Sequence, residues 1–184
     1  MRLITLFAAL AIALMSPTPA TARQGDAWAT AKTLKRGVNI IGYDPLWRDP
    51  AKARFQTRHF KLIREGGFDF VRVVLHAFRH MDANNRLPAK WFETVDWVVK
   101  EATAAGLSVI LDEHDFNTCS PDPDACEPKL VALWQQIGER YKNAPSTVLF
   151  ELLNEPYGKL DAARWNAMLT RLIPIVRATN PNRT

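Results

Sequence analysis

Phe70-Val71-Arg72-Val73-Val74-Leu75 is followed, one helical stretch later, by Leu107-Ser108-Val109-Ile110-Leu111-Asp112. Both runs are short, apolar and rich in β-branched residues, which is the signature of buried strands. Between them, residues 89–105 set Trp91, Val95, Val98, Val99 and Ala102 on one helical face, and Gly106 supplies the stop. Strand, helix, strand in that order predicts a right-handed crossover onto a parallel sheet.

The same cycle extends in both directions. Residues 37–42 (Gly-Val-Asn-Ile-Ile-Gly) read as a first strand, and 58–65 as a short helix stopped by Gly66-Gly67. Beyond Asp112, residues 129–141 read as a third helix with Leu130, Leu133, Trp134 and Ile137 inward, and 147–153 as a fourth strand. Residues 161–179 form the fourth helix, with Trp165, Leu169, Leu172, Ile173 and Val176 inside and Pro174 expected to kink it or loosen a turn. Trp and Leu at helical spacing are read as core, not as sugar platforms. The strands are apolar throughout, as expected when both faces are covered.

A doubly wound open sheet and a (β/α)8 barrel of the TIM type both fit. No G-x-G-x-x-G follows the first strand, which weakens the nucleotide-binding open sheet. A barrel takes roughly 250 residues, and Asn180-Pro181-Asn182-Arg183-Thr184 reads as a turn leading into a fifth strand. The expectation is an α/β half-barrel fragment holding the first four βα units, with the first and fourth strands as open edges.

Met1-Arg2, the apolar run from Leu3 to Met15, the breaker Ser16-Pro17-Thr18-Pro19 and Ala20-Thr21-Ala22 match a secretory leader cleaved after Ala22. The apolar run is shorter than the roughly 20 residues of a membrane span. Domains are therefore expected at 1–22 (signal peptide) and 23–184 (one globular unit), with secretion to the medium or the periplasm. Loss of Arg2, the one charge in the leader, takes the formal net charge from +5 to +4. Basic and acidic residues are interleaved, so no stripe suggests nucleic acid. Cys119 and Cys126 close a Pro- and Asp-rich loop. Export favours a disulfide there, and no second Cys pair or His cluster nearby favours zinc.

The polar residues at strand ends carry the chemistry, because the C-terminal rim of a parallel barrel forms its active site. Asn154-Glu155-Pro156 ends the fourth strand. Alone, that tripeptide is equally a turn with a solvated carboxylate. In context, Val148-Leu149-Phe150-Glu151-Leu152-Leu153-Asn154-Glu155-Pro156-Tyr157, Arg72 in the second strand, Asp112-Glu113-His114 ending the third and Arg36-Gly37-Val38-Asn39 at the start resemble glycoside hydrolase family 5, in its cellulase-like branch, over residues 35–184. The resemblance implies a retaining hydrolase of β-linked polysaccharide. It makes Glu155 the general acid/base and Asn154 the residue binding the sugar 2-hydroxyl. Arg72 becomes the arginine near the nucleophile and His114 a lining residue, with His76 and Trp47 as further sugar contacts. It implies no cofactor, no metal, no membrane partner after leader cleavage, and a monomer at full length.

Arg72 lies among apolar neighbours, and an unpaired buried guanidinium is costly, so it must face a carboxylate. That pairing could serve the site or merely tie strands together. Glu151 shares strand parity with Glu155 and is read as deeper and structural. His114 amid acids leaves a metal-dependent hydrolase as an alternative. Retaining glycosidases need a second carboxyl about 5 Å from the first, and the family draws it from the seventh strand, which these residues do not include. The fragment is therefore expected to be inactive alone, with a non-catalytic carbohydrate-binding remnant as the other alternative.

Overall fold

Four parallel strands, β1 (Gly37–Ile40), β2 (Phe70–Val74), β3 (Ser108–Asp112) and β4 (Val148–Glu151), lie side by side in sequence order. The structure is a computed structural model that describes residues 27–184, so the leader read over residues 1–22 lies outside the described residues. Helix α1 (Ala27–Thr33) precedes β1, and α2 (Thr57–Glu65) and α3 (Ala89–Ala104) make the first two crossovers. A single turn, α4 (Phe116–Cys119), and the long α5 (Pro123–Arg140) lead to β4, and α6 (Ala162–Thr179) follows it.

The register sets Val38, Val71, Val109 and Val148 in one row, with Val73 and Leu111 in the next row on the same side. Val71, Val73, Val109, Leu111 and Val148 are wholly buried, packed with Phe60, Val95, Leu133, Trp134 and Leu172 from the helices. Right-handed crossovers in an order that never reverses put every connecting helix on that side. A doubly wound sheet needs a reversal; this order is that of a barrel wall. The expectation that both faces would be covered is corrected accordingly. Phe70, Arg72, Ser108 and Ile110, on the opposite face, are only half-buried. That is the face a barrel turns toward its axis.

Glycine ends α2 and α3 as the sequence suggests. Gly67 and Gly106 hold the left-handed conformation, at φ 81° and 75°. The next residues close the turns, Phe68 N–H donating to Ile63 O and Leu107 N–H to Ala102 O, the bond of a Schellman stop.

Three expectations about the second half need correction. The third crossover helix starts at Pro123, not Lys129, with the Asp122 side chain accepting from Ala125 N–H as its cap. Cys126 is therefore helical, and the cysteines join α4 to the first turns of α5 instead of closing a free loop. On α6, Ile173 is exposed and Met168 takes its place in the core. The helix runs on through Pro174.

The outer edge of β4 is also less open than expected. Phe150 N–H donates to Thr184 O. Buried Arg183 donates to the carbonyls of Tyr141, Ala144, Pro145 and Val148. Residues 183–184 thus cover the beginning of that edge.

Candidate active site

The C-terminal strand ends form one polar rim. The register places Val74 beside Asp112 and Asp112 beside Glu151, with Arg72 one inward-facing row below. Arg72 reaches both carboxylates. Its Nε donates to Glu151 Oε2 at 2.6 Å and its Nη2 to Glu151 Oε1 at 2.5 Å, while Nη2 also lies 3.1 Å from Asp112 Oδ2. A two-pronged bond of this kind fixes orientation as well as distance. The guanidinium therefore does face carboxylates, and Glu151 is the principal one.

The same Nη2 donates to Asn154 Oδ1 at 2.8 Å. Because the amide oxygen is taken, Asn154 Nδ2 is the group left to donate elsewhere. The Asn154 backbone is held too, its N–H donating to Glu113 O. Glu155 follows, solvent-exposed and in the left-handed region at φ 38°. His76, after β2, has φ 45°, and Ile41, after β1, has φ 56°. Such backbone is costly for non-glycine residues, most of all for a β-branched one. Three of the four strand ends carry it, which concentrates strain on this rim.

Asp112 is fully buried and bonds His114 Nδ1 at 2.6 Å through Oδ2, leaving Oδ1 without a partner. Burial, and then the Glu151 charge, push its pKa up to about 6, against the pull of Arg72 and His114. A carboxyl with a raised folded pKa adds stability below its unfolded pKa, and that contribution disappears as pH rises through about 6. Wild type should therefore gain about 1.4 kcal/mol over Asp112→Asn between pH 7.5 and pH 5. Urea unfolding of both proteins across that range measures it. A pH-independent difference would refute the assignment.

Glu113 and Asp115 stay behind the rim. Glu113 Oε2 accepts from Ala77 N–H and Oε1 from Asp115 N–H, while Asp115 Oδ2 accepts from Phe78 N–H. Burial first, and the adjacent Asp115 carboxylate second, push Glu113 well above the usual carboxylate range. Together these acids pin the turn after His76. Sequence reading missed this work; the signal was two acids flanking His114 in an otherwise apolar segment.

The remaining sugar-contact candidates are spread along the rim. His114 lines a groove with Asn39, Tyr43 and Arg54, and its ring meets His76 edge-on at 5.2 Å. His76 and Trp47 border a separate cleft of about 380 Å³ beyond β1 and β2. Burial, then Arg79, lower the His76 pKa. Trp47 stacks on Trp91 at 5.8 Å and donates to Ile41 O. The structure thus joins Arg72, Asn154, Asp112 and His114 in one network and sets Trp47 apart from it. Among the described residues, no group of three or more His, Cys, Asp or Glu is arranged to hold a metal ion, and no helix is long and apolar enough to cross a membrane.

The cysteines bear on the Glu155 loop. Cys119 and Cys126 are joined, their Cα atoms 4.8 Å apart, and adjacent Ser120 is buried. Ser120 Oγ accepts from Tyr157 N–H and Ser120 O from Lys159 N–H. Replacing both cysteines by serine should cost about 2 kcal/mol of stability through chain entropy. It should also loosen residues 155–159, raising their amide exchange relative to β2 and β3. Unchanged exchange there would sever the link.

The C-terminal rim of this half-barrel wall thus carries a carboxylate-anchored arginine, an oriented amide and an exposed glutamate. The family model Cellulase (glycosyl hydrolase family 5) matches residues 30–184, and the chain belongs to that family. It is 29% identical to endoglucanase A of Clostridium longisporum over 79% of this chain and 30% of that protein. It is 34% identical to endoglucanase A of Ruminococcus albus over 54% of this chain and 29% of that protein. Among solved structures, Thermotoga maritima Cel5A in complex with cellobiose superposes with a TM-score of 0.77 at 31% identity, covering 86% of this chain and 53% of that one. The cellulose synthase subunit Z of Clostridioides difficile gives 0.75 at 33%, covering 82% and 51%. The chain thus spans about half of the solved barrels and under a third of these two curated relatives.

Proposed function

We propose that this chain carries the acid/base half of a retaining β-glucan hydrolase, with Glu155 as the group that protonates the glycosidic oxygen and later activates water. The observation that carries the reading is Arg72, which orients Asn154 beside Glu155 through Oδ1 and leaves Nδ2 to donate. In this role Asn154 Nδ2 meets the 2-hydroxyl of the sugar at the cleavage point, and His114, with Nδ1 on Asp112, offers Nε2 to the same ring.

Retention requires a second carboxyl about 5 Å from the first. The four acids around the rim are committed elsewhere: Glu151 and Asp112 to Arg72, Glu113 and Asp115 to backbone N–H groups. The nucleophile is assigned to the part of the relatives' barrels that this chain does not span, and the 184 residues alone should not turn substrate over. The leader-like residues 1–22 and the disulfide support export. β-1,4-Glucan is the first substrate to try, given the names of the relatives.

The test joins this chain to the second half of a family 5 barrel and follows neutral cellohexaose. The expected result is cleavage with retention of anomeric configuration, read by proton NMR. Inversion, or robust turnover by the purified 184-residue monomer, would overturn the assignment.

A further inference from the structure

The cleft beyond β1 and β2 is lined by more positive charge than its acids balance. Arg48, Lys52 and Arg79 border it against Asp44 and Asp49, with His76, His80, Tyr43 and Trp47 also in its lining. Its two carboxylates are already engaged. Asp44 accepts from Leu46 and Arg54 N–H through Oδ1 and from Phe55 N–H through Oδ2. Asp49 caps Ala51 N–H and pairs with Lys52 at 3.3 Å. Arg79 Nη2 lies 3.2 Å from His76 Nδ1 and has a long contact, 3.4 Å, to Asp115, so its other nitrogens stay available, and among the described residues Arg48 forms no ion pair.

Arg48 and Arg79 both line this cleft. Both act on His80, whose ring lies 6.0 Å from that of Trp47, and after burial they depress its protonation. His76 is buried with Nε2 unpartnered. A neutral sugar offers hydroxyls that need acceptors as well as donors. This cleft presents mainly donors, and its two carboxylates are already bonded. At about 380 Å³ it falls within the ordinary size of ligand pockets, and paired guanidinium groups suit a planar or tetrahedral oxyanion.

We propose that this cleft takes a sugar ring bearing a negative charge, its oxyanion held between Arg48 and Arg79 and its ring against Tyr43, Trp47 and His76. The proposal rests on reading the rim as a carbohydrate site, and it makes the preferred glycan an acidic one. A uronic acid and a phosphorylated hexose share that chemistry.

Calorimetric titration of the 184-residue chain separates the cases, using cellobiose, cellobiouronic acid, 6′-phosphocellobiose and inorganic phosphate. At least one acidic disaccharide should bind about tenfold tighter than cellobiose, as one charge-assisted contact allows, and the advantage should shrink as salt is raised. The tighter of the two names the anion. Arg48 is exposed and bonds no core group, so Arg48→Ala should abolish the preference while leaving the thermal melt unchanged; Arg48→Lys should keep part of it. Arg79→Ala should have the same effect on preference. Equal affinity for cellobiose and both acidic sugars would overturn the proposal and leave the β-glucan reading standing. Inorganic phosphate binding as tightly as the sugars would reduce the cleft to a plain anion site, and no disaccharide binding at all would sink both readings.

Discussion

In the completed barrel, Glu155→Gln should lower turnover of cellohexaose by about a thousandfold, within the range of one general acid/base group. The substitution keeps shape and removes only the transferable proton. Glu155 is exposed and outside the core, so the melting temperature should not change. A sugar bearing a good leaving group distinguishes this role from a binding role. A dinitrophenolate departs without protonation, so formation of the glycosyl-enzyme should fall far less for dinitrophenyl cellobioside than for cellohexaose. A merely structural or sugar-binding Glu155 would depress both substrates alike. Near-normal cellohexaose turnover would refute the assignment outright.

The loop geometry makes that prediction specific. Asn154 is tied on both sides, by Arg72 through its side chain and by Glu113 O through its backbone. Tyr157 and Lys159 are tied to Ser120. Glu155 is thus the free residue between two fixed points, in a strained left-handed conformation. Rigid flanks hold a catalytic side chain where substrate must meet it.

Much of this was legible in the sequence because it depends on periodicity and on turn chemistry. Val71, Val109 and Val148 announce buried strands, and Gly67 and Gly106 announce helix stops. The early start of α5 was readable in principle, since Asp122-Pro123 is a cap followed by proline at the first helical position. A second proline, Pro128, lies inside the helix without breaking it. That Arg72 needed a carboxylate followed from burial cost. Which carboxylate did not, because parity marked Glu151 only as deeper and structural, until the register placed Asp112 and Glu151 on the face of Arg72 and turned Glu113 into the core. The arginines beside Trp47 escaped notice because they belong to two different loops, and single residues far apart in sequence show no pattern.

Arg72→Met should destabilise the chain by about 3 kcal/mol at pH 8, the lower end of what breaking a buried ion pair costs. The lower end applies because the Arg72 side chain keeps 17% of its surface exposed and Glu151 keeps 33%. Removing the cation leaves Asp112 charged, fully buried and without its strongest favourable neighbour. Its pKa must then rise further above about 6, so the variant should take up a proton at a pH where wild type does not. The sign follows. At pH 5 Asp112 is already largely neutral in the wild type, so less is lost when the cation goes. The urea midpoints of wild type and variant should therefore approach each other as pH falls from 8 to 5. Adding Glu151→Leu to Arg72→Met removes the second stranded charge and should recover part of the loss. The double variant should still fail to orient Asn154, and in the completed barrel its cellohexaose turnover should stay as low as that of Arg72→Met. Recovery of turnover along with stability would mean that Arg72 only ties β2 to β4. Recovery of stability without turnover would separate its two jobs, holding the wall and aiming the amide.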